Sequence, residues 1–281
     1  DNLAIVYNRK MFADAGVAPP TAQWTWDDFR AAAAKLTDPA KQQYGWTIPA
    51  DGSEDTVWHW IPMLWEAGGD LLNSDNTTAT FNSEAGVKAL TTLQQMAADD
   101  KSVYLDTTNA NGSTLMNGGK IAMSITGPWD LSMFTDIDYG VQVMPTFAGS
   151  DGGHQTISGP DNWVLFDNGD KKKQAAIDFT KWITAPEQVR STSLATGDLP
   201  TRISVGQDAA FVAQLDKKLP GTGAFVENLA NVKNARPQVE QYPAISEALG
   251  QAIVSVMLGK EQPKAALDGA AQAADAKLAE K

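Results

Sequence analysis

Residues 118–130 read Gly118-Gly119-Lys120-Ile121-Ala122-Met123-Ser124-Ile125-Thr126-Gly127-Pro128-Trp129-Asp130. Apolar Ile121, Met123 and Ile125 alternate with smaller or polar neighbours, which predicts a strand over Lys120–Ile125. Gly118-Gly119 stops a short helix at Ser113–Met116, and Gly127-Pro128 turns the chain into another helix. Helix, strand, tight turn and helix in succession are the pattern of an α/β protein.

The same alternation extends in both directions. Upstream, Leu3–Tyr7 reads as a strand, followed by a short helix from Asn8 that ends near Gly16. Thr25-Trp26-Asp27-Asp28 reads as a capped helix start, with the acidic pair in the positive first turn, and the helix runs to Leu36. Tyr44–Pro49 is a strand, Thr56–Ala67 an aromatic-rich helix stopped by Gly68-Gly69, and another helix follows Phe81-Asn82-Ser83 to about Asp99. Downstream, Tyr139–Pro145 and Asn162-Trp163-Val164-Leu165-Phe166 read as strands, and Lys172–Ile183 and Glu187–Thr196 as helices. The last third reads as helices near 208–217, 223–231, 243–258 and 263–280.

The chain has 281 residues, 34 acidic and 22 basic, for a net charge of −12. That balance argues against nucleic acid, whose phosphates call for clustered Lys and Arg; the only basic run is Lys171-Lys172-Lys173. With no cysteine there is no disulfide or thiolate metal site, and His59 and His154 alone cannot build a histidine-rich zinc site. No phosphate loop is present, because Gly118-Gly119-Lys120 lacks the required spacing. No cofactor is expected. No stretch approaches the roughly 18 apolar residues of a membrane span. The chain opens inside a strand and without Met, so residues upstream of Asp1 are expected to be absent.

Tryptophan carries the functional signal, with nine in the chain. Trp24, Trp26, Trp46 and Trp182 sit where a core filler is needed. Trp58 and Trp129 lie at helix starts beside polar loops, where α/β folds collect ligands; Trp65 lies one helical face below Trp58, and Trp60 points elsewhere. An indole offers a flat apolar face and one N–H, which suits the C–H face of a sugar, while carboxylates and amides suit its hydroxyls. Ser53-Glu54-Asp55 and Gly159-Pro160-Asp161-Asn162 supply such groups. The same carboxylates, with Asp130, leave open a glycosidase acid and nucleophile.

At these residues the sequence resembles the extracellular solute-binding proteins of ABC importers, in the sugar-binding group that includes maltose-binding protein. The likeness runs in order through Leu3–Phe12, Ala13–Gly16 with Pro19-Pro20, Thr25–Phe29, Gly118–Met123, Gly127-Pro128-Trp129, Tyr139–Val141 with Met144-Pro145, and Gly197-Asp198-Leu199-Pro200-Thr201-Arg202. The resemblance implies a two-lobed periplasmic-binding-protein-like α/β fold. Of it, residues 1–162 would be the second lobe with a hinge strand at its start. Residues 163–218 would return to the first lobe, and residues 219–281 would be C-terminal helices packing on the second.

The resemblance also implies a binding protein, not an enzyme. It would take a neutral di- or oligosaccharide outside the cytoplasm, in the periplasm or as a surface lipoprotein, and deliver it to the importer's transmembrane subunits. A monomer with no nucleic-acid partner is expected. Trp129 inherits the stacking role of the Gly-Pro-Trp turn. Asp55 and Trp58 are supported as cleft residues, with Glu54, His59 and Trp60 as neighbours. Gly159, Asp161 and Asn162 fall on the hinge side, Tyr242 near a ligand-facing position, and Arg202 after the Leu-Pro-Thr turn, where a structural ion pair is the equal alternative. The rivals are a polyamine, glycerol phosphate, or a glycoside hydrolase.

Overall fold

Five strands form one mixed sheet in the order β3-β2-β4-β1-β5. A computed structural model describes residues 1–150, 153–159 and 162–280. The strands are β1 (Ala4–Asn8), β2 (Tyr44–Pro49), β3 (Val103–Asp106), β4 (Ile121–Thr126) and β5 (Tyr139–Gln142). β2 runs parallel to both β3 and β4, whereas β1 runs antiparallel to β4 and β5. The carboxyl ends of β2, β3 and β4 therefore share one edge, and the amino end of β1 joins them there.

The sheet separates two apolar clusters. In β1, Leu3, Ile5 and Tyr7 face the larger one, while Ala4 and Val6 face the smaller, as period-two alternation requires. Helices α1 (Arg9–Ala15), α2 (Trp26–Leu36), α3 (Glu54–Glu66) and α4 (Glu84–Gln94) feed the larger cluster. α5 (Gly112–Asn117) precedes β4 and gives Met116 to the smaller one. Thr25 caps α2, as the sequence predicts, and Asp28 completes a full capping box with it.

A second group of helices comprises α6 (Asp170–Ile183), α7 (Pro186–Thr196), α8 (Ile203–Gly206) and α9 (Ala209–Lys218). It has its own small core of Val189, Val205, Phe211 and Leu215. α10 (Thr222–Asn228) places Phe225 in the smaller sheet cluster. α11 (Tyr242–Met257) and α12 (Pro263–Leu278) pack on each other, and α11 lies along α3.

Three sequence expectations do not hold. Asn162–Phe166 forms no strand; it is irregular chain with Trp163, Val164, Leu165 and Phe166 exposed. The run has strand composition, but no described strand lies beside it to accept its backbone hydrogen bonds. Trp182, expected in a core, is 55% exposed on α6, where it and Trp163 flank the Phe179 ring. The turn after β4 is a short 3-10 segment, Pro128–Met133, rather than an α-helix.

Two features of α3 are set by this packing. Gly250 on α11 approaches the loop before α3 so closely that a Cβ there would lie 2.2 Å from the Gly52 carbonyl oxygen. Glu66, in the last turn of α3, is 1% exposed. Its Oε2 accepts from Trp26 Nε1 at 2.8 Å and its Oε1 from the Gln155 N–H at 3.2 Å. Burial nonetheless pushes the Glu66 carboxyl up to about 8.

Gly250→Ala is expected to cost about 1–3 kcal/mol by overpacking, read from the urea midpoint. Because the Glu66 pKa is raised on folding, the native state keeps a proton that the unfolded chain gives up near 4.5. Stability is then full in acid and falls between about pH 4.5 and 8, by on the order of 5 kcal/mol. Urea midpoints across that range check it, and Glu66→Gln should flatten the slope.

Candidate functional site

The carboxyl ends of the three parallel strands open into a cavity of about 470 Å³, lined by Pro49 after β2, Asp106 after β3 and Thr126 after β4. This is where α/β sheets bind ligands. Asp55, His59, Asn109, Trp129 and Asp130 complete its working surface. A second cavity, of about 510 Å³, adjoins it along Asp55 and Trp129 and is lined further by Glu54, Trp58, Gly159 and Arg236.

Each side chain is placed by local chemistry. Ser53 caps α3, its hydroxyl accepting from the Asp55 N–H, and so sets Glu54 and Asp55 in the first turn. The Asp55 carboxylate accepts from Asn109 Nδ2 at 2.6 Å and lies 3.3 Å from His59 Nδ1. Burial opposes its ionisation, but these two partners outweigh burial and hold its pKa below the usual carboxylate value. Asn109 occupies the left-handed region, at φ 51, which asparagine tolerates better than most residues. That loop is wound on Asp106, which accepts from Thr108 Oγ1 at 3.0 Å and the Asn111 N–H at 2.8 Å. Burial raises the Asp130 carboxyl, partly offset by the Thr126 hydroxyl that donates to it at 2.7 Å.

The indoles of Trp58 and Trp129 lie 5.8 Å apart, tilted by 35°. Trp129 folds back over Gly127, where a Cβ would sit 1.9 Å from the ring. Trp58 packs on Gly159, where a Cβ would sit 2.9 Å from the ring. Both glycines thus serve close approach.

The structure brings together Asp55, Trp58, Trp129 and Gly159 from the sequence-predicted set. Trp60 is 0% exposed in the larger core and lines neither cavity. Two residues along the helix from Trp58, it is rotated to the inner face of α3. Tyr242 donates its hydroxyl to Glu54 at 3.0 Å and also lines neither cavity. Arg236 and Ser246 hold the same Glu54 carboxylate. Arg202 is exposed and donates to the Thr184 carbonyl, so it is engaged by backbone. Asn162 is exposed, and Asp161 lies outside the described residues. Asp106, Asn109, Ser124 and Thr126 were not singled out; the signal for them is their place at or just past the ends of parallel strands.

A family model for bacterial extracellular solute-binding proteins matches residues 1–221. The crystal structure of a cyclic α-maltosyl-1,6-maltose binding protein from Arthrobacter globiformis superposes with a TM-score of 0.84 at 29% identity, covering 99% of this chain and 70% of that one. A Brucella abortus protein named only as a binding protein is 28% identical over 98% of this chain and 65% of its own length. An sn-glycerol-3-phosphate-binding periplasmic protein of Pectobacterium atrosepticum is 24% identical over 98% of this chain and 64% of its own length. The chain thus spans a little under two thirds of these curated relatives. Its two-lobed neighbours place the sheet in the solute-binding fold.

Gly127→Ala is expected to displace the Trp129 ring without unfolding the chain, since φ −107 at Gly127 is open to any residue. A changed near-UV circular dichroism with an unchanged far-UV spectrum checks it.

Proposed function

The chain belongs to the family of bacterial extracellular solute-binding proteins, and we propose that it captures a neutral sugar, a di- or oligosaccharide, for delivery to an ABC importer. The observation that carries this reading is the composition of the cleft. Two indoles, Trp58 and Trp129, stand beside carboxyl, amide and hydroxyl groups, and the 470 Å³ cavity at the strand ends is lined by no Lys or Arg among the described residues. Indole faces suit sugar C–H faces, and the polar groups suit hydroxyls. Capture outside the cytoplasm, with transmembrane permease subunits as the partner, follows from the family; no described helix is long and apolar enough to cross a membrane.

The rival ligands fit less well. A phosphate would face Asp55, Asp106 and Asp130, and the nearest guanidinium, Arg236, is engaged by Glu54. A polyamine would want free carboxylates, yet Asp55 is engaged by His59 and Asn109, and burial biases Asp130 toward its neutral form. The opposite shifts of Asp55 and Asp130 do resemble an acid and base pair. The family favours binding without turnover, so incubation with the bound sugar should release no reducing ends.

Intrinsic fluorescence titration with maltose and cyclic α-maltosyl-1,6-maltose tests the reading. A saturable shift is expected, and Trp129→Ala should weaken the affinity by about 1–2 kcal/mol, roughly 5- to 30-fold. Unchanged affinity in a folded Trp129→Ala chain would remove that ring from the site, and silence with both sugars would sink the sugar class.

A further inference from the structure

His59 is buried in α3 against β4, and both of its ring nitrogens face oxygens. Nδ1 lies 2.7 Å from the Asp55 carbonyl oxygen and 3.3 Å from Asp55 Oδ1. Nε2 lies 3.1 Å from the Ile125 carbonyl oxygen. A carbonyl oxygen can only accept. A neutral imidazole has one N–H, so either tautomer would set a nitrogen lone pair against a carbonyl in a buried place. An imidazolium has two N–H donors and satisfies both ends.

We propose that His59 is a buried imidazolium that fixes the Asp55 carboxylate where the two cavities meet, a positioning residue whose proton makes ligand capture weaken as pH rises. The part concerning capture rests on the sugar reading of the cleft. Asp55 is the hinge of the argument because it lines both cavities, and its other oxygen is held by Asn109. His59 thus acts on the ligand through Asp55.

The charges around the ring agree. Asp55 faces it from α3, and Asp130, on the turn after β4, is close enough to feel its charge. Asp106 lines the same cavity from the end of β3. The Trp58 ring stands edge-on to the imidazole at 5.5 Å and 86°, closing one side with an apolar wall. Burial works against the charged ring, but Asp55 and the two carbonyls outweigh it, and the His59 pKa lies above its ordinary 6.5. Because the folded value is raised, the stabilisation is complete below about pH 6.5 and is lost as pH rises through the folded value. Asp55 then loses its charged partner and its fixed orientation.

The test begins without any ligand. The chain has two histidines, so His59→Gln assigns the His59 resonances by their disappearance. In the unsubstituted chain at pH 7, both His59 nitrogens should show protonated ¹⁵N shifts, and the Asp55 carboxyl ¹³C should move at the same pH as His59 titrates. Fluorescence titrations with maltose and cyclic α-maltosyl-1,6-maltose are then repeated from pH 6 to 9.5. Affinity should fall about tenfold across the His59 titration and be weak and level with pH in His59→Gln.

A neutral imidazole at pH 7 in the folded chain overturns the proposal. So does an Asp55 signal that ignores the His59 titration, or a sugar affinity that stays level through it. A coupled titration with neither sugar binding upholds the clamp and counts against the sugar reading instead.

Discussion

The parallel pairing of β2 with both β3 and β4 is the constraint on which the rest depends. It sends three carboxyl ends to one edge, and each delivers a different kind of group. Pro49 leads into the capped start of α3, Asp106 winds a loop around itself, and Thr126 precedes the Gly-Pro-Trp turn. Were β4 antiparallel to β2, Trp129 would stand at the opposite edge from Asp55. The cleft is thus a consequence of strand direction, and the side chains refine what topology has already placed.

α3 carries carboxyl groups at both ends, in opposite circumstances. Its first turn places Glu54 and Asp55 where the helix dipole favours anions, and each has found donors. Its last turn places Glu66 where the dipole disfavours an anion, in a core of tryptophan and aliphatic side chains. Every residue of the helix from Thr56 to Glu66 is buried, so it can move little without disturbing both ends.

The sequence revealed what is local. The β1 strand, the Thr25 cap and the Gly68-Gly69 stop each depend on a few adjacent residues, and all were legible. So was the contrast between Trp58 and Trp60, which the helical period alone places on different faces. The partners of Asp55 were not legible. Asn109 comes from a loop 54 positions away, and no local rule predicts that its amide reaches that carboxylate. Trp163–Phe166 failed for the converse reason: its composition is that of a strand, but a strand also needs a neighbour.

That segment has a consequence for how the chain behaves in bulk. Trp163, Val164, Leu165 and Phe166 are 59%, 68%, 45% and 75% exposed, and the Trp163 and Phe179 rings stack at 5.6 Å. In these 281 residues taken alone, the apolar run has no described strand beside it, and its rings are open to a neighbouring surface. Opposing that is the net charge of −12, which keeps copies apart. The opposition weakens with salt: the screening length shrinks from about 8 Å at 0.15 M to about 3 Å at 1 M. Colloidal stability of this chain is therefore a contest between a sticky aromatic strip and an acidic surface, and ionic strength decides it.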